Sequence, residues 1–349
     1  MTVEFGFGLI TCQRYPGDPR SDADLYRQAL ELAEDADASG LDSVWVSEHH
    51  FVDDSYLPSL LPMCAAIAAR TRRARVGTAL LLAPLHEPVR LAEDAAVVDL
   101  ISAGRLVLCL GLGWRAEEFD ALGVPLADRV PRLLAAVDVL RQAWSGDLVR
   151  GGYGARYPDI PVRPLPAQPG GPPLWIGGLT EPAIRRAGRV ADGFMATEVT
   201  PDGLHEQAAL ARQERARTSA TGPFTISVHL PTFVWDGPGA WDLIRDHHRY
   251  VAWKYDDMDA ARSRAGAPAA PPQLTAAEEE QLRASIVMGT PDEVAGQIDA
   301  YRRAAGGDLH YIARLYFPGL PWEVQQRTLG LFAEQVVPRA RALAARGAA

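Results

Sequence analysis

The hydrophobic positions follow two periods. Short apolar runs without alternation are each followed by a stretch in which apolar residues recur at helical spacing. Val3 to Ile10 is the first run, and Asp42-Ser43-Val44-Trp45-Val46, β-branched and aromatic, is the second. Ala74 to Leu82 is almost wholly apolar and is stopped by Pro84. Leu106 to Leu110, Pro173 to Ile176, Gly193 to Ala196, Phe224 to Leu230 and Leu309 to Leu315 continue the series. Such runs read as parallel strands buried on both faces. Between them, Ser21 caps a helix whose stripe is Leu25, Ala29, Leu32, Ala33 and Ala36, ended by Gly40. Leu57 to Arg70, Pro88 to Gly104, Arg129 to Trp144, Glu181 to Val190 and Leu204 to Thr218 are helical by the same spacing. Thr290 and Pro291 open another helix, and Pro321 to Ala345 forms a terminal one. Eight strands alternate with about eight helices, with no break in composition between domains. The count predicts an α/β fold, a closed (β/α) TIM barrel as one domain over residues 1–349, rather than an open sheet.

Two segments interrupt the alternation. Gly146 to Gly171 is rich in Gly, Pro, Tyr and Arg without period and reads as a surface excursion with room for a hairpin. Asp236 to Ala284 reads as irregular, with aromatics early and Ala/Pro-rich sequence around Pro268 to Pro272. It is too long for a simple connection, so the expectation for 236–284 is a lid insertion or a disordered insert.

Composition narrows the functional classes. A chain of 349 residues, 48% hydrophobic, is ordinary for a barrel with insertions. A formal charge of -9 argues against a nucleic-acid footprint and leaves no polybasic membrane patch. Positive charge is almost all arginine; Lys254 is the one lysine. Cys12, Cys64 and Cys109 have no paired spacing, which argues against a disulfide framework. No basic leader and no membrane-length apolar run is visible, so the expectation is a soluble, cytoplasmic protein.

Candidate chemistry collects at strand ends, where such barrels bind ligands. Glu48-His49-His50 follows the second strand directly. A histidine there can move a proton near neutral pH. Adjacent histidines point in different directions and have no Cys or H-x-x-x-H partner, so no metal is expected. Gly111-Leu112-Gly113-Trp114-Arg115-Ala116 matches the dinucleotide fingerprint, but it follows the fourth strand, and Arg129 to Trp144 is helical where an acid-ended strand is required. The glycines are better read as letting backbone amides approach a ligand at the mouth. Gly177-Gly178-Leu179-Thr180, leading into a helix, forms either a phosphate cradle or a tight turn with a threonine cap. His247-His248 reads as solvated. No nucleophile elbow is present.

As an ordered set these residues resemble the bacterial luciferase-like flavin-dependent oxidoreductases. The resemblance runs through Ser47-Glu48-His49-His50-Phe51, Val76-Gly77-Thr78-Ala79, Glu87 to Asp94 and Asp99 to Leu106. It continues through Gly111 to Trp114 and Glu117 to Gly123, with weaker echoes at Leu174 to Gly178, Ala191 to Phe194 and Met288 to Pro291. It implies a barrel that binds reduced flavin at its C-terminal mouth, with a cis peptide between Ala79 and Leu80. The implied cofactor-binding residues are Ala79, Leu80, Leu112, Gly113, Gly177, Gly178, Leu179 and Thr180, with His49 and Glu48 catalytic. His49 would move the proton and Glu48 would orient or charge-stabilise it. Two positions depart from the pattern: Leu112 stands where several FMN users carry arginine, and Cys109 replaces a strand glycine.

The function implied is a monooxygenase that takes reduced FMN from a separate flavin reductase and uses O2 to oxidise a small organic substrate. The alternatives are hydride transfer with the deazaflavin coenzyme F-420, suggested by the Gly-Trp, Glu-Glu-Phe and Leu-Gly run, and a non-catalytic flavin-binding protein. A homodimer is expected, through helices including Leu57 to Arg70 and Glu87 to Ala103. Their small residues Ala65, Ala66, Ala69, Ala92, Ala95 and Ala96 would let helices approach closely.

Overall fold

The computed structural model describes residues 2–260 and 271–346. Eight parallel strands form the barrel: β1 Val3–Ile10, β2 Ser43–Val46, β3 Arg75–Thr78, β4 Leu106–Gly111, β5 Leu174–Gly177, β6 Gly193–Thr197, β7 Thr225–Val234 and β8 Leu309–Arg314. Each pairs in parallel with the next, and β8 returns to β1 in register from Val3↔Leu309 to Gly8↔Arg314, closing the ring. Helices cover the outside, as the near-continuous apolar strands require.

Local capping agrees with the sequence. Ser21 and Asp24 form a reciprocal capping box, as do Thr290 and Glu293, each fixing a helix start. Inside the barrel Trp45 and Trp175 stack with ring centroids 5.2 Å apart. Glycine is required at Gly77, where a Cβ would lie 2.3 Å from the Trp45 ring. Below them His310 contacts Ser43 Oγ at 2.7 Å and Glu4 Oε2 at 3.1 Å. The His310 hydrogen bond, with the nearby Arg75 charge, holds the Glu4 carboxyl down to about 2. The amino-terminal end of the barrel is therefore packed, and the candidate site residues lie at the other end.

Two expectations change, and the hairpin for which the excursion had room is present. The third strand is not continuous: β3 stops at Thr78, the Ala79–Leu80 peptide is cis, and Leu81–Leu82 resumes pairing with β4. The excursion after the fourth helix is an antiparallel hairpin, Leu148–Gly151 with Tyr157–Pro161. The segment read as irregular from Asp236 to Ala284 contains a long helix, Ala240–Ala260, and a capped one, Ala276–Ala284; residues 261–270 lie outside the described residues. The apolar count missed the long helix because its buried face mixes Ile244, Val251 and Met258 with His248, Tyr250 and Lys254. The polar members are satisfied only by tertiary partners: Tyr250 donates to Asp54 Oδ2 at 2.8 Å and Lys254 to Asp53 Oδ1 at 2.6 Å. This helix thereby roofs the mouth beside β2. No described helix is long and apolar enough to cross a membrane.

Candidate active site

β2 ends at Val46, and the chain turns so that Ser47, Glu48 and His49 are all buried at the carboxyl end of the barrel. His49 Nδ1 lies 2.9 Å from Glu118 Oε1, and the His50 backbone N–H donates to the same oxygen, also at 2.9 Å. Glu118 comes from the short helix Ala116–Ala121 after β4 and is fully buried. Burial raises its pKa, but the His49 hydrogen bond and charge, the His50 amide and Arg115 together leave it lowered, so Glu118 is ionised at neutral pH. An ionised carboxylate can only accept, so Nδ1 carries a proton toward Glu118 and Nε2 is directed away from it. The imidazole is edge-on to three rings, Tyr56 at 4.9 Å, Tyr255 of the roof helix at 5.6 Å and Trp114 at 6.0 Å. An imidazole so oriented among aromatic rings is suited to moving a proton.

Glu48 does not hold His49. Its Oε1 accepts from the Leu82 N–H at 2.6 Å and lies 4.0 Å from His86 Nε2, so it secures the chain just after the cis peptide. The orienting role expected of Glu48 belongs to Glu118. The sequence run Glu117-Glu118-Phe119 carried the only signal for it, and the separation of 69 residues from His49 hid the contact. Arg115 ties the same loop down by donating to the carbonyls of His50 and Phe51.

The candidate cofactor residues divide into two groups. Ala79, Leu80 and Gly177 come together at the mouth: a Cβ on Gly177 would lie 2.6 Å from Leu80 Cδ2 and one on Gly111 would lie 2.9 Å from Leu80 Cβ. The space left by Gly111 is therefore filled by Leu80. The space beside Gly113 is filled by the Phe119 ring, 2.8 Å from where a Cβ would stand, so this glycine seats Phe119 rather than a ligand. Leu112 packs on the main core.

Gly177-Gly178-Leu179-Thr180 leads into the helix Glu181–Val190, and the Thr180 hydroxyl makes no cap, which leaves it free for a ligand. Leu179 and Thr180 are exposed. Gly178 is constrained by packing, since a Cβ there would meet Ala183 Cβ at 2.6 Å. Pro182 removes one amide from the first turn and Glu181 adds a negative charge, so amides alone make a modest anion site. The same helix offers a stronger one. Arg186 Nη1 is buried without a hydrogen-bond partner, and its pKa is lowered by burial and by the charges of Arg129 and Arg189. Neither Arg129 nor Arg186 has an ion pair among the described residues. Two guanidinium groups held near each other without a carboxylate fit a phosphate. His247 and His248, expected to be solvated, are instead packed: His247 Nδ1 sits 2.9 Å from the Pro318 carbonyl and His248 Nε2 2.9 Å from Ser285 Oγ. No cluster of metal-ligating side chains occurs among the described residues.

Comparison with known proteins places this geometry. Over 172 residues, 49% of this chain and 48% of the relative, the sequence is 29% identical to the oxygenase component of the flavin-dependent trigonelline monooxygenase of Acinetobacter baylyi. This match spans about half of that relative's length. The F420-dependent glucose-6-phosphate dehydrogenase of Amycolatopsis mediterranei is 28% identical over 342 residues, 91% of this chain and 95% of the relative. The solved structure of the monooxygenase RslO1 from Streptomyces bottropensis superposes with a TM-score of 0.79 at 25% identity, over 96% of this chain and 99% of that one. The relatives are thus oxidoreductases of two kinds, monooxygenases and F420-dependent dehydrogenases. The family described as luciferase-like monooxygenase matches residues 5–308, and the chain belongs to it.

Proposed function

We propose that this chain is the oxygenase of a two-component system, taking reduced FMN from a separate flavin reductase and using O2 to oxidise a small organic substrate. The observation that carries the reading is the His49–Glu118 pair, oriented at 2.9 Å beneath an aromatic roof. Arg186, whose Nη1 is buried and unpartnered, and Arg129, with the Thr180 hydroxyl and the Gly177–Thr180 backbone, fit the phosphate of FMN. When bound, reduced flavin supplies the electrons that activate oxygen. His49 holds or moves a proton at Nε2, Glu118 fixes the ring, and Tyr56, Trp114 and Tyr255 exclude water from it. The helix Ala240–Ala260 acts as a lid, latched by Lys254 to Asp53 in the loop after β2. A second reading, hydride transfer with F-420, is favoured by Leu112 in place of an arginine and by the near full-length match to an F420-dependent dehydrogenase. Anaerobic titration with reduced FMN and with F-420 separates the two. FMN is expected to bind at least about tenfold tighter; saturation by F-420 alone removes the monooxygenase reading.

The same protein is expected to be a homodimer, through a different surface from that expected of the alanine faces. Ala92, Ala95 and Ala96 are buried against the barrel, while Val97, Leu100 and Ile101 of the helix Pro88–Ser102 are exposed. Light scattering of the double variant Leu100→Glu/Ile101→Glu should give half the mass of the wild type. A monomeric wild type, or a dimeric variant, rejects this interface.

A further inference from the structure

One sector of the mouth holds buried polar atoms without partners on three neighbouring strands. Arg314 ends β8 and is only 4% exposed, yet neither Nε nor Nη2 has a hydrogen-bond partner. No carboxylate lies within ion-pair distance of it among the described residues. On β7, at the barrel position paired with Ile312, His229 is half-buried, with its Nδ1 buried and unpartnered. After β1, Thr11 Oγ1 and Gln13 Oε1 are likewise buried and unpartnered. His248 Nδ1 of the roof helix completes the set. Asp54, beside Gln13, already accepts from Gln13, Tyr250 and the Tyr56 amide. Native interiors leave few such atoms, and an unpaired buried guanidinium is among the costliest. Burial and the Arg314 charge drive His229 down to about 3 and His248 to about 4, so both are neutral and the sector carries a full positive charge on Arg314. That charge also acts on Tyr56, whose ring packs on His49.

We propose that Arg314 binds an anionic group, a carboxylate, on the organic substrate, and so makes this site selective for acids. The inference rests on the oxidoreductase reading above and deepens it. In an eight-strand ring β8 faces β4, so the anion site lies across the mouth from Leu80 and Gly111. A carboxylate seated on Nε and Nη2 takes the two unused donors in the side-on bidentate geometry that guanidinium favours. The Thr11 hydroxyl can supply a third donor. The rest of the substrate then extends along the aromatic wall toward His49.

The test uses benzoate and its neutral isostere benzamide as probes, titrated calorimetrically into the cofactor-free protein and into protein saturated with FMN. Benzoate should bind at least tenfold tighter than benzamide. Arg314→Met, which keeps the length and removes the charge, should abolish that preference, and Arg314→Lys should retain part of it. FMN affinity should change by less than threefold in either variant. Because the charge is unpaired in the absence of ligand, Arg314→Met should also melt about 2 °C or more above the wild type. Equal binding of the two probes overturns the proposal, as does a preference that survives Arg314→Met. A tenfold loss of FMN affinity with benzoate binding intact would assign the charge to the cofactor instead. A lowered melting temperature would make Arg314 a structural residue. Probe binding to the cofactor-free protein needs no flavin, so this outcome is independent of whether FMN or F-420 is the cofactor.

Discussion

His49→Ala should lower turnover by about 10²–10⁴-fold, the range of general acid–base assistance. FMN affinity should stay within about tenfold of the wild type, roughly one hydrogen bond. The separation follows from the layout: the imidazole is held by Glu118 at 2.9 Å among three rings, whereas the phosphate donors proposed above, Arg129 and Arg186, come from other elements. Single-turnover decay of protein-bound reduced FMN in oxygen gives the rate, and flavin titration gives the affinity. Glu118→Gln should produce a smaller loss of the same kind, because an amide still reaches Nδ1 but no longer holds it in one tautomer. Wild-type rates in His49→Ala would make the histidine structural and reject the mechanism.

Loss of phosphate anchoring should give the opposite split, weakening cofactor binding ahead of chemistry. Arg129→Met/Arg186→Met should weaken FMN by at least about tenfold, since hydrogen bonds to charged groups contribute about 1.5–3 kcal/mol each. Riboflavin, which lacks the phosphate, should bind variant and wild type alike. The variant should fold at least as well as the wild type, because it removes two like charges, and burial together with the Arg129 charge lowers the Arg186 pKa. This pair is a cleaner test than a carboxylate at Gly178, where any side chain first strikes Ala183. Unchanged FMN binding would place the phosphate elsewhere.

The architecture was legible because its determinants are local. Eight apolar runs, the capping residues Ser21 and Thr290, and prolines at helix starts are decided within a few residues of one another. The resemblance added the cis peptide at Ala79–Leu80, which periodicity could not supply. What failed was the treatment of neighbours in sequence as neighbours in space. Glu48 adjoins His49 in the chain but points to Leu82, and Glu118, 69 residues away, takes its place. Glycines 111 and 113 suggested a ligand at close approach, but Leu80 and Phe119 occupy that space.

The sequence by itself determined the closed barrel and the end at which chemistry collects, because burial period and caps are properties of short segments. Tertiary structure decided the partners. A helix face containing His248, Tyr250 and Lys254 is stable only when Asp54, Asp53 and Ser285 arrive from other parts of the chain. Likewise Arg186 and Arg314 are two arginines among many until the fold buries them without a carboxylate. Hydrogen bonds and ion pairs act over a few ångströms between side chains whose proximity is fixed by strand order rather than by spacing along the chain.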